Sequence, residues 1–307
     1  MGFAAKSDHG ADRRVHVPVM AEEVVELLSA PCPHVIVDAT VGTGGHSEAL
    51  LSRTAEAKLL GIDRDADALA VASARLSQFG PRVKLVQASF AQIDEAMAEA
   101  GFERADAILA DLGMSSFALE DAARGFSFRL EGPLDMRMDQ RESLRAYDIV
   151  NEETEQEIAR ILRDYGEERA ARRIARRIAE ARRRRPIETT TELRAIIERA
   201  LGPRRRGGMH PATRTFQALR IAVNREMELL AEFLDKAPAM LAPGGRLAII
   251  AYHSLEDRPV KEKFRELGRG GEFTLVTPKA LKPGSREIAA NPRARSARLR
   301  CLERRSV

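Results

Sequence analysis

Apolar residues in the first third of the chain fall into short, nearly unbroken runs at 34–40, 58–63, 82–88 and 105–112, and residues 66–78 between two of them follow a helical spacing. Runs this short and continuous predict strands buried on both faces, and their alternation with helices predicts an α/β fold with a doubly wound parallel sheet. After Asp111 the strand signal stops until Arg246-Leu247-Ala248-Ile249-Ile250-Ala251, which the turn Ala242-Pro243-Gly244-Gly245 introduces. That gap is several times longer than a single crossover requires, so it predicts an insertion.

Inside the gap the apolar period becomes helical. Ile158, Ile161, Leu162 and Tyr165 share one face, Ile174 and Ile178 another, and Leu193, Ile196, Ile197 and Leu201 a third before Gly202-Pro203. A long stripe, Phe216, Leu219, Val223, Met227, Leu230 and Leu234, then carries the chain back to the sheet as a helix, with Pro211 suited to its first turn. Two further strands are predicted at 272–276 and 297–302. The organisation expected is one discontinuous domain, 1–121 with 217–307, interrupted by a small all-α domain at 122–216, with Phe126, Phe128, Leu134 and Met136 where the two meet.

Composition changes this picture little. With 307 residues, 44% hydrophobic and 31% charged, the chain has enough apolar content for a full core. No apolar run approaches a membrane span, residues 1–14 carry no signal sequence, and Lys6 breaks a myristoylation pattern. Cys32 and Cys301 give neither a disulfide framework nor a thiolate metal site, so a cytoplasmic location is expected. Basic and acidic residues nearly balance, 50 against 46, but not locally: residues 160–185 hold eleven Arg against four acids, a local +7 that suits a phosphate-bearing partner.

The candidate chemistry lies at Val37-Asp38-Ala39-Thr40-Val41-Gly42-Thr43-Gly44-Gly45-His46, where a buried strand breaks into a glycine loop that opens a helix. Such a loop lets backbone N–H groups approach a ligand closely, and the helix N-terminus behind it presents unpaired donors. Asp63 ends the second strand, where a carboxylate accepts ribose hydroxyls. The dinucleotide fingerprint would need a third glycine after Gly42-x-Gly44, and the chain has none there. Asp38 instead suits a ligand carrying an ammonium group, which S-adenosylmethionine has and a nicotinamide dinucleotide lacks.

Long motifs then follow in order: His16-Val17-Pro18-Val19-Met20, Asp111-Leu112-Gly113-Met114-Ser115-Ser116, Arg124-Gly125-Phe126-Ser127-Phe128, and Pro133-Leu134-Asp135-Met136-Arg137-Met138-Asp139. Thr213-Arg214-Thr215-Phe216-Gln217-Ala218-Leu219-Arg220, Tyr252-His253-Ser254-Leu255-Glu256-Asp257-Arg258 and Asn291-Pro292-Arg293-Ala294-Arg295-Ser296 continue the series. With the glycine loop, they make the chain resemble, over nearly its whole length, the MraW/RsmH-type methyltransferases, which act on the exocyclic N4 of a cytidine in bacterial small-subunit (16S) ribosomal RNA. The resemblance implies a class I S-adenosylmethionine-dependent methyltransferase fold with a Rossmann-like sheet. It also implies that Gly42, Gly44, Gly45 and His46 meet the cofactor, Asp63 its ribose and Phe90 its adenine, with Asp111 beside the reactive end. It points to the decoding region of an assembled small subunit as substrate, and a homodimer is compatible with it. The chain departs from the family at Ala118, where Gln is usual, and has Thr40 where methyltransferases at large often have the first loop glycine.

The cytosine amine is a poor nucleophile, because its lone pair is delocalised into the ring. The Asp111 carboxylate and carbonyls of the 112–116 turn are expected to hold its hydrogens and aim that lone pair. Ser115 and His253 are the other catalytic candidates, and no metal is expected. Methylation at ring carbon C5 would need a cysteine nucleophile, which neither Cys32 nor Cys301 is placed to supply. The 160–185 cluster, the loop Pro203-Arg204-Arg205-Arg206-Gly207-Gly208, and Arg293, Arg295, Arg298 and Arg300 on one face of a terminal strand are expected to form an RNA-binding rim, with the target base flipped out. Two alternatives stay open at this point: a nicotinamide-linked oxidoreductase, and a non-catalytic RNA-binding or ribosome-assembly protein that retains the pocket.

Overall fold

A computed structural model describes residues 18–114, 116–202 and 210–306. Within them, β1 (Val35–Asp38), β2 (Lys58–Asp63), β3 (Val83–Gln87), β4 (Ala105–Asp111), β5 (Leu241–Ala251), β6 (Phe273–Leu275) and β7 (Arg298–Arg304) form one sheet in the order β3-β2-β1-β4-β5-β7-β6. Strands β1 to β5 pair in parallel, while β7 runs antiparallel to both β5 and β6. This is the Rossmann-like class I methyltransferase sheet expected from the sequence. The order reverses between β1 and β4, which opens a crevice at the carboxyl ends of those strands.

The helices are, in chain order, α1 (Ala21–Leu28), α2 (Gly45–Arg53), α3 (Ala66–Leu76), α4 (Ile93–Ala100), α5 (Ser116–Glu120), α6 (Ala146–Glu152), α7 (Glu155–Asp164), α8 (Ala171–Arg182), α9 (Thr190–Leu201), α10 (Ala212–Val223), α11 (Glu226–Lys236), α12 (Ser254–Arg269) and α13 (Ser285–Ala290). Alternation along each strand sends neighbouring side chains to opposite layers. Ile36, Leu59, Leu109 and Ile250 pack with Val24, Leu50 and Leu76 of α1, α2 and α3. Val37, Leu60, Ile108 and Ile249 pack with Met97, Phe233 and Phe264 of α4, α11 and α12. Both faces are therefore covered, which is why these strands read as unbroken apolar runs. Among the described residues, no helix is long and apolar enough to cross a membrane.

Between β4 and β5 the chain builds a separate apolar cluster from Ala118 to Val223, centred on Ile158, Leu162, Ile174, Ile178, Leu193, Ile197 and Leu219. Thr154 and Thr189 start α7 and α9 by accepting the N–H of Glu157 and Glu192, so the polar residue ahead of each apolar stripe sets where the helix begins. Phe126, Leu134 and Met136 belong to this helical cluster. At the junction with the sheet, Arg124 reaches Asp65 and Asp67, and Arg64 donates to the Asn224 carbonyl and to Met138.

Three local expectations change. The stripe read as one helix is two, α10 and α11, with Arg225 at φ 49° between them. Asn224 causes the break: its side chain accepts Met138 N–H at 2.8 Å and donates to the Met136 carbonyl at 2.7 Å, while Arg64 takes its carbonyl at 2.9 Å. Those tertiary bonds compete with helix continuation. The Pro243-Gly244-Gly245 turn lies within β5 as a bulge, since pairing jumps from Ala105–Leu241 to Ala107–Arg246. Arg298 and Arg300 do share a face, but they clasp the nearly buried Asp257 carboxylate at 2.9 and 2.7 Å, and Arg293 and Arg295 precede the strand. The expected row of four cations along β7 is therefore not formed.

Candidate active site

The carboxyl ends of the strands bring Asp63 of β2, Asp111 of β4 and Tyr252 after β5 around one cavity of about 360 Å³. Its wall includes the predicted residues Gly42, Gly45, His46, Asp63, Phe90, Asp111 and His253. Gly44 is not in the wall. It sits at φ 82° as the residue that starts α2, and a Cβ there would lie 3.3 Å from Leu76, so its part is to let the loop turn against α3. Ser115, the 203–208 basic loop and His16-Val17 lie outside the described residues.

The glycine loop is tied to the second acid. Gly42, at φ 52°, donates its N–H to Asp63 Oδ2 at 2.8 Å, and Asp65 N–H reaches Oδ1 at 2.9 Å. Burial pushes the Asp63 carboxyl above its usual range, against the pull of those two amides. Each oxygen keeps a further lone pair for a ligand hydroxyl. Phe90, Met227 and Leu230 supply an apolar wall, so the cavity offers ring-binding surface and hydroxyl-accepting carboxylate together.

Asp38 behaves otherwise than its sequence position suggests. It is not in the cavity wall; its oxygens accept the Ser47 hydroxyl at 2.7 Å and Thr40 N–H at 3.3 Å beneath the loop. Burial raises its pKa from 3.8 to about 6, with Ser47, His46 and the Thr40 amide pulling it down. A carboxyl raised in the folded state adds stability below its unfolded pKa and loses it as pH rises through the folded one. Asp38 should therefore cost up to about 3 kcal/mol of stability between roughly pH 4 and 6. Asp38→Asn is expected to flatten the stability profile in that window by denaturant titration; an unchanged slope would show that the carboxyl titrates normally.

At the far end, Asp111 is held from several directions. Its N–H donates to Thr40 Oγ1 at 2.7 Å, and its Oδ1 accepts Gly113 N–H at 3.0 Å. Thr40, where a glycine is common, therefore anchors the acid. His46, 7% exposed, places Nε2 3.4 Å from Oδ2, and neither ring nitrogen has a hydrogen bond of normal geometry. The Tyr252 ring covers Gly113 so closely that a Cβ there would come within 2.6 Å of it. Burial, then the adjacent Asp111 charge, pushes the Tyr252 hydroxyl well above its usual range, which keeps it a proton donor to that carboxylate.

Residues 13–305 match the model of the MraW methylase family. The chain is 49% identical over 290 residues to the ribosomal RNA small subunit methyltransferase H of Cyanothece sp., covering 94% of this chain and 95% of that one. It is likewise 49% identical to the enzyme of that name from Gloeobacter violaceus, over 97% and 91% of the two chains, and 46% identical to that of Cutibacterium acnes, over 94% and 92%.

The chain belongs to the MraW methylase family.

That membership removes the nicotinamide reading, and the cavity wall adds residues to which the sequence assigned no catalytic or cofactor-binding role. Thr40, Arg64, Arg220, Glu226, Met227 and Glu256 all line the cavity. Glu226, His253 and Glu256 converge there with ligand atoms within 4.8 Å of one another, although 27 positions of chain separate the first two and no metal spacing links them. Only the fold of α11 against α12 brings them together. Ala118 also lines the cavity, so the family position that usually holds Gln presents a methyl group.

Proposed function

We propose that this chain uses S-adenosylmethionine to methylate the exocyclic N4 amine of a cytidine in the decoding region of 16S ribosomal RNA, within the assembled small subunit in the cytoplasm. The observation that carries the reading is the Asp111 constellation, an acid fixed by Thr40, Gly113 and Tyr252 at the end of the cavity away from Asp63 and Phe90. Gly42, Gly45, His46, Asp63 and Phe90 would hold the cofactor, which supplies, when bound, a methyl group activated on a sulfonium. Asp111 accepts hydrogen bonds from the target amine and aims its lone pair; Tyr252 and Gly113 keep the carboxylate from turning away. Ser115, which follows Met114 in the sequence, is assigned to the same acceptor site.

The cysteines favour an amine target. A C5 transfer needs a thiolate against the base, yet Cys301 is buried in β7 with its thiol pushed to about 12, and Cys32 precedes β1 at the opposite end from the cavity. A non-catalytic binding role would not call for an acid fixed this closely at the acceptor end.

We assign RNA contact to the inserted helical domain at 122–216. Its α8 carries Arg172, Arg173, Arg176 and Arg177 on the exposed face opposite Ile174 and Ile178, and Arg183 and Arg184 follow. Part of the +7 is offset by acids outside that stretch, since Arg160 pairs with Glu157 and Arg185 with Glu192. Replacing Arg172, Arg173, Arg183 and Arg184 by Gln is expected to weaken RNA binding for all sequences alike and to lower the salt dependence of log K by about one for each phosphate that is no longer neutralised. Titrations at several salt concentrations check this, and an unchanged slope would move the interface elsewhere.

The reaction itself is tested by transfer of labelled methyl to small subunits from cells lacking this protein, followed by nucleoside analysis. N4-methylcytidine is expected. A different methylated base would overturn the target, and cofactor binding without transfer to any ribosomal substrate would leave a binding role.

A further inference from the structure

Among the described residues, three arginines stand in the cavity wall, Arg64, Arg220 and Arg293. The first two are committed to the protein. Arg64 donates to the Asn224 carbonyl and the Met138 sulfur, each at 2.9 Å, and Arg220 forks onto the two oxygens of Glu226, each at 2.8 Å. Arg293 differs in place and in partner. Its side chain is 43% exposed although it lines the cavity, which puts it at the mouth, and its Nη2 lies 3.4 Å from Oε1 of Glu120, a side chain 75% exposed.

Strand pairing fixes which end of the cavity this is. One row crosses the sheet from Asp111 in β4 through Ile250 in β5 to Leu299 in β7. Because β7 is antiparallel to β5, the segment that leaves β4 and the segment that enters β7 both lie at the carboxyl end of β5, beside Tyr252. The first segment holds α5, and Met114, Ala118 and Leu119 extend the wall from Asp111 toward Glu120. The second holds Arg293, on the short helical turn Pro292–Ser296. That turn is firmly seated: Ala294 and Ala297 are buried in the apolar layer, and Asn291 accepts the Arg293 N–H at 3.2 Å. The pair therefore stands at the Asp111 end, while Asp63 in β2 and Phe90 after β3 lie on the other side of β1.

A base that enters the cavity stays joined to its RNA on both sides, so its phosphates remain at the mouth, where an ionised group keeps part of its water. A guanidinium meets phosphate oxygens with two parallel N–H donors, whereas the contact to Glu120 is long and open to water, and so easily exchanged. We propose that Arg293 binds a phosphate flanking the flipped cytidine, with Glu120 holding the guanidinium at the mouth until the RNA displaces it. This rests on the cytidine-methyltransferase reading above. The displaced carboxylate then faces the incoming phosphate, so Glu120 prepares the site and also opposes its filling.

Affinity for small ribosomal subunits from cells lacking this protein, measured with S-adenosylhomocysteine in place of the methyl donor, reads the contact without turnover. Arg293→Gln is expected to weaken binding about tenfold and to lower the salt dependence of log K by about one, as for a single phosphate. Arg293→Lys, which keeps the charge and loses the fork, should retain the slope and recover part of the affinity. Glu120→Gln should act in the opposite direction, tightening binding about two- to fivefold, and should add nothing once Arg293 is replaced by Gln. Ethylation of the subunit's phosphates locates the contact: a modified phosphate beside the target cytidine should impair binding by the wild type and make no difference to Arg293→Gln. Affinity for S-adenosylmethionine should stay within about twofold of wild type in each variant, since the pair lies away from Asp63 and Phe90. An unchanged slope in Arg293→Gln, interference at that phosphate persisting in the same variant, or weaker binding in Glu120→Gln, as from a plain strap between α5 and the terminal turn, overturns the proposal. A wild type that binds the subunit and transfers no methyl overturns the reading beneath it instead.

Discussion

Asp111→Asn is expected to lower kcat for methyl transfer by roughly 10²–10³-fold while leaving the fold and cofactor affinity nearly intact. Asparagine keeps the shape of the side chain, and its carbonyl oxygen can still accept the Gly113 N–H that Asp111 Oδ1 takes at 3.0 Å. The backbone bond to Thr40 Oγ1 is untouched, because the Asp111 main chain makes it. What changes is the second oxygen, near His46 Nε2 at 3.4 Å, which becomes an NH₂ group. A donor would then face an amine that needs an acceptor, so the lone pair is no longer drawn out and aimed. Stability by denaturant titration should shift by no more than about 1 kcal/mol. Calorimetry with S-adenosylmethionine and single-turnover transfer complete the test. Near-normal turnover would remove Asp111 from the acceptor site, and loss of cofactor binding in step with activity would reassign it to the cofactor.

The parts of this molecule legible in its sequence are those whose cause is local. Strands β1, β2, β4 and β5 show as apolar runs because helices cover both faces of the sheet, so nearly every position, from Ile36 and Val37 to Ile249 and Ile250, is buried. The glycine loop shows because Gly42 and Gly44 adopt positive φ, which few other residues tolerate. What stayed hidden depends on partners far along the chain. Asn224 ends α10 through bonds to Met136 and Met138, 88 and 86 positions away, and periodicity carries no trace of them. Glu226 reaches His253 only because α11 and α12 lie side by side. Asp38 misled for a related reason: a carboxylate ahead of a glycine loop is well placed for a cationic ligand, yet Ser47 in α2 reaches it first. The arginines of β7 alternate as a strand requires, but Asp257, at the start of α12, converts a candidate RNA surface into an internal clasp.

Arg124→Ala is expected to cost about 3–5 kcal/mol of stability, the largest effect of any single change away from the reacting groups. Arg124 is 2% exposed and serves four partners at the seam between the helical insertion and the sheet, two of them, Asp65 and Asp67, on the sheet side. Its guanidinium forks onto Asp65 at 2.9 and 3.3 Å, reaches Asp67 at 3.1 Å, and donates to the carbonyls of Arg137 at 3.1 Å and Met138 at 3.0 Å. Removal strands a carboxylate that is 6% exposed and leaves two carbonyls without donors, and the desolvation of those groups, more than the lost attraction, sets the cost. The damage should also reach the cofactor. Asp65 caps α3 through the N–H of Asp67 and donates its own N–H to Asp63 Oδ1 at 2.9 Å, so slack at Arg124 passes through Asp65 to the acid in the cavity wall. Denaturant midpoints should therefore fall together with S-adenosylmethionine affinity. Arg124→Lys, which keeps the charge but loses the fork, should recover only part of either. In a double-mutant cycle with Asp65→Asn, a coupling above about 1 kcal/mol is expected for groups that share one buried network, whereas additive losses would mean that Arg124 stabilises the insertion alone.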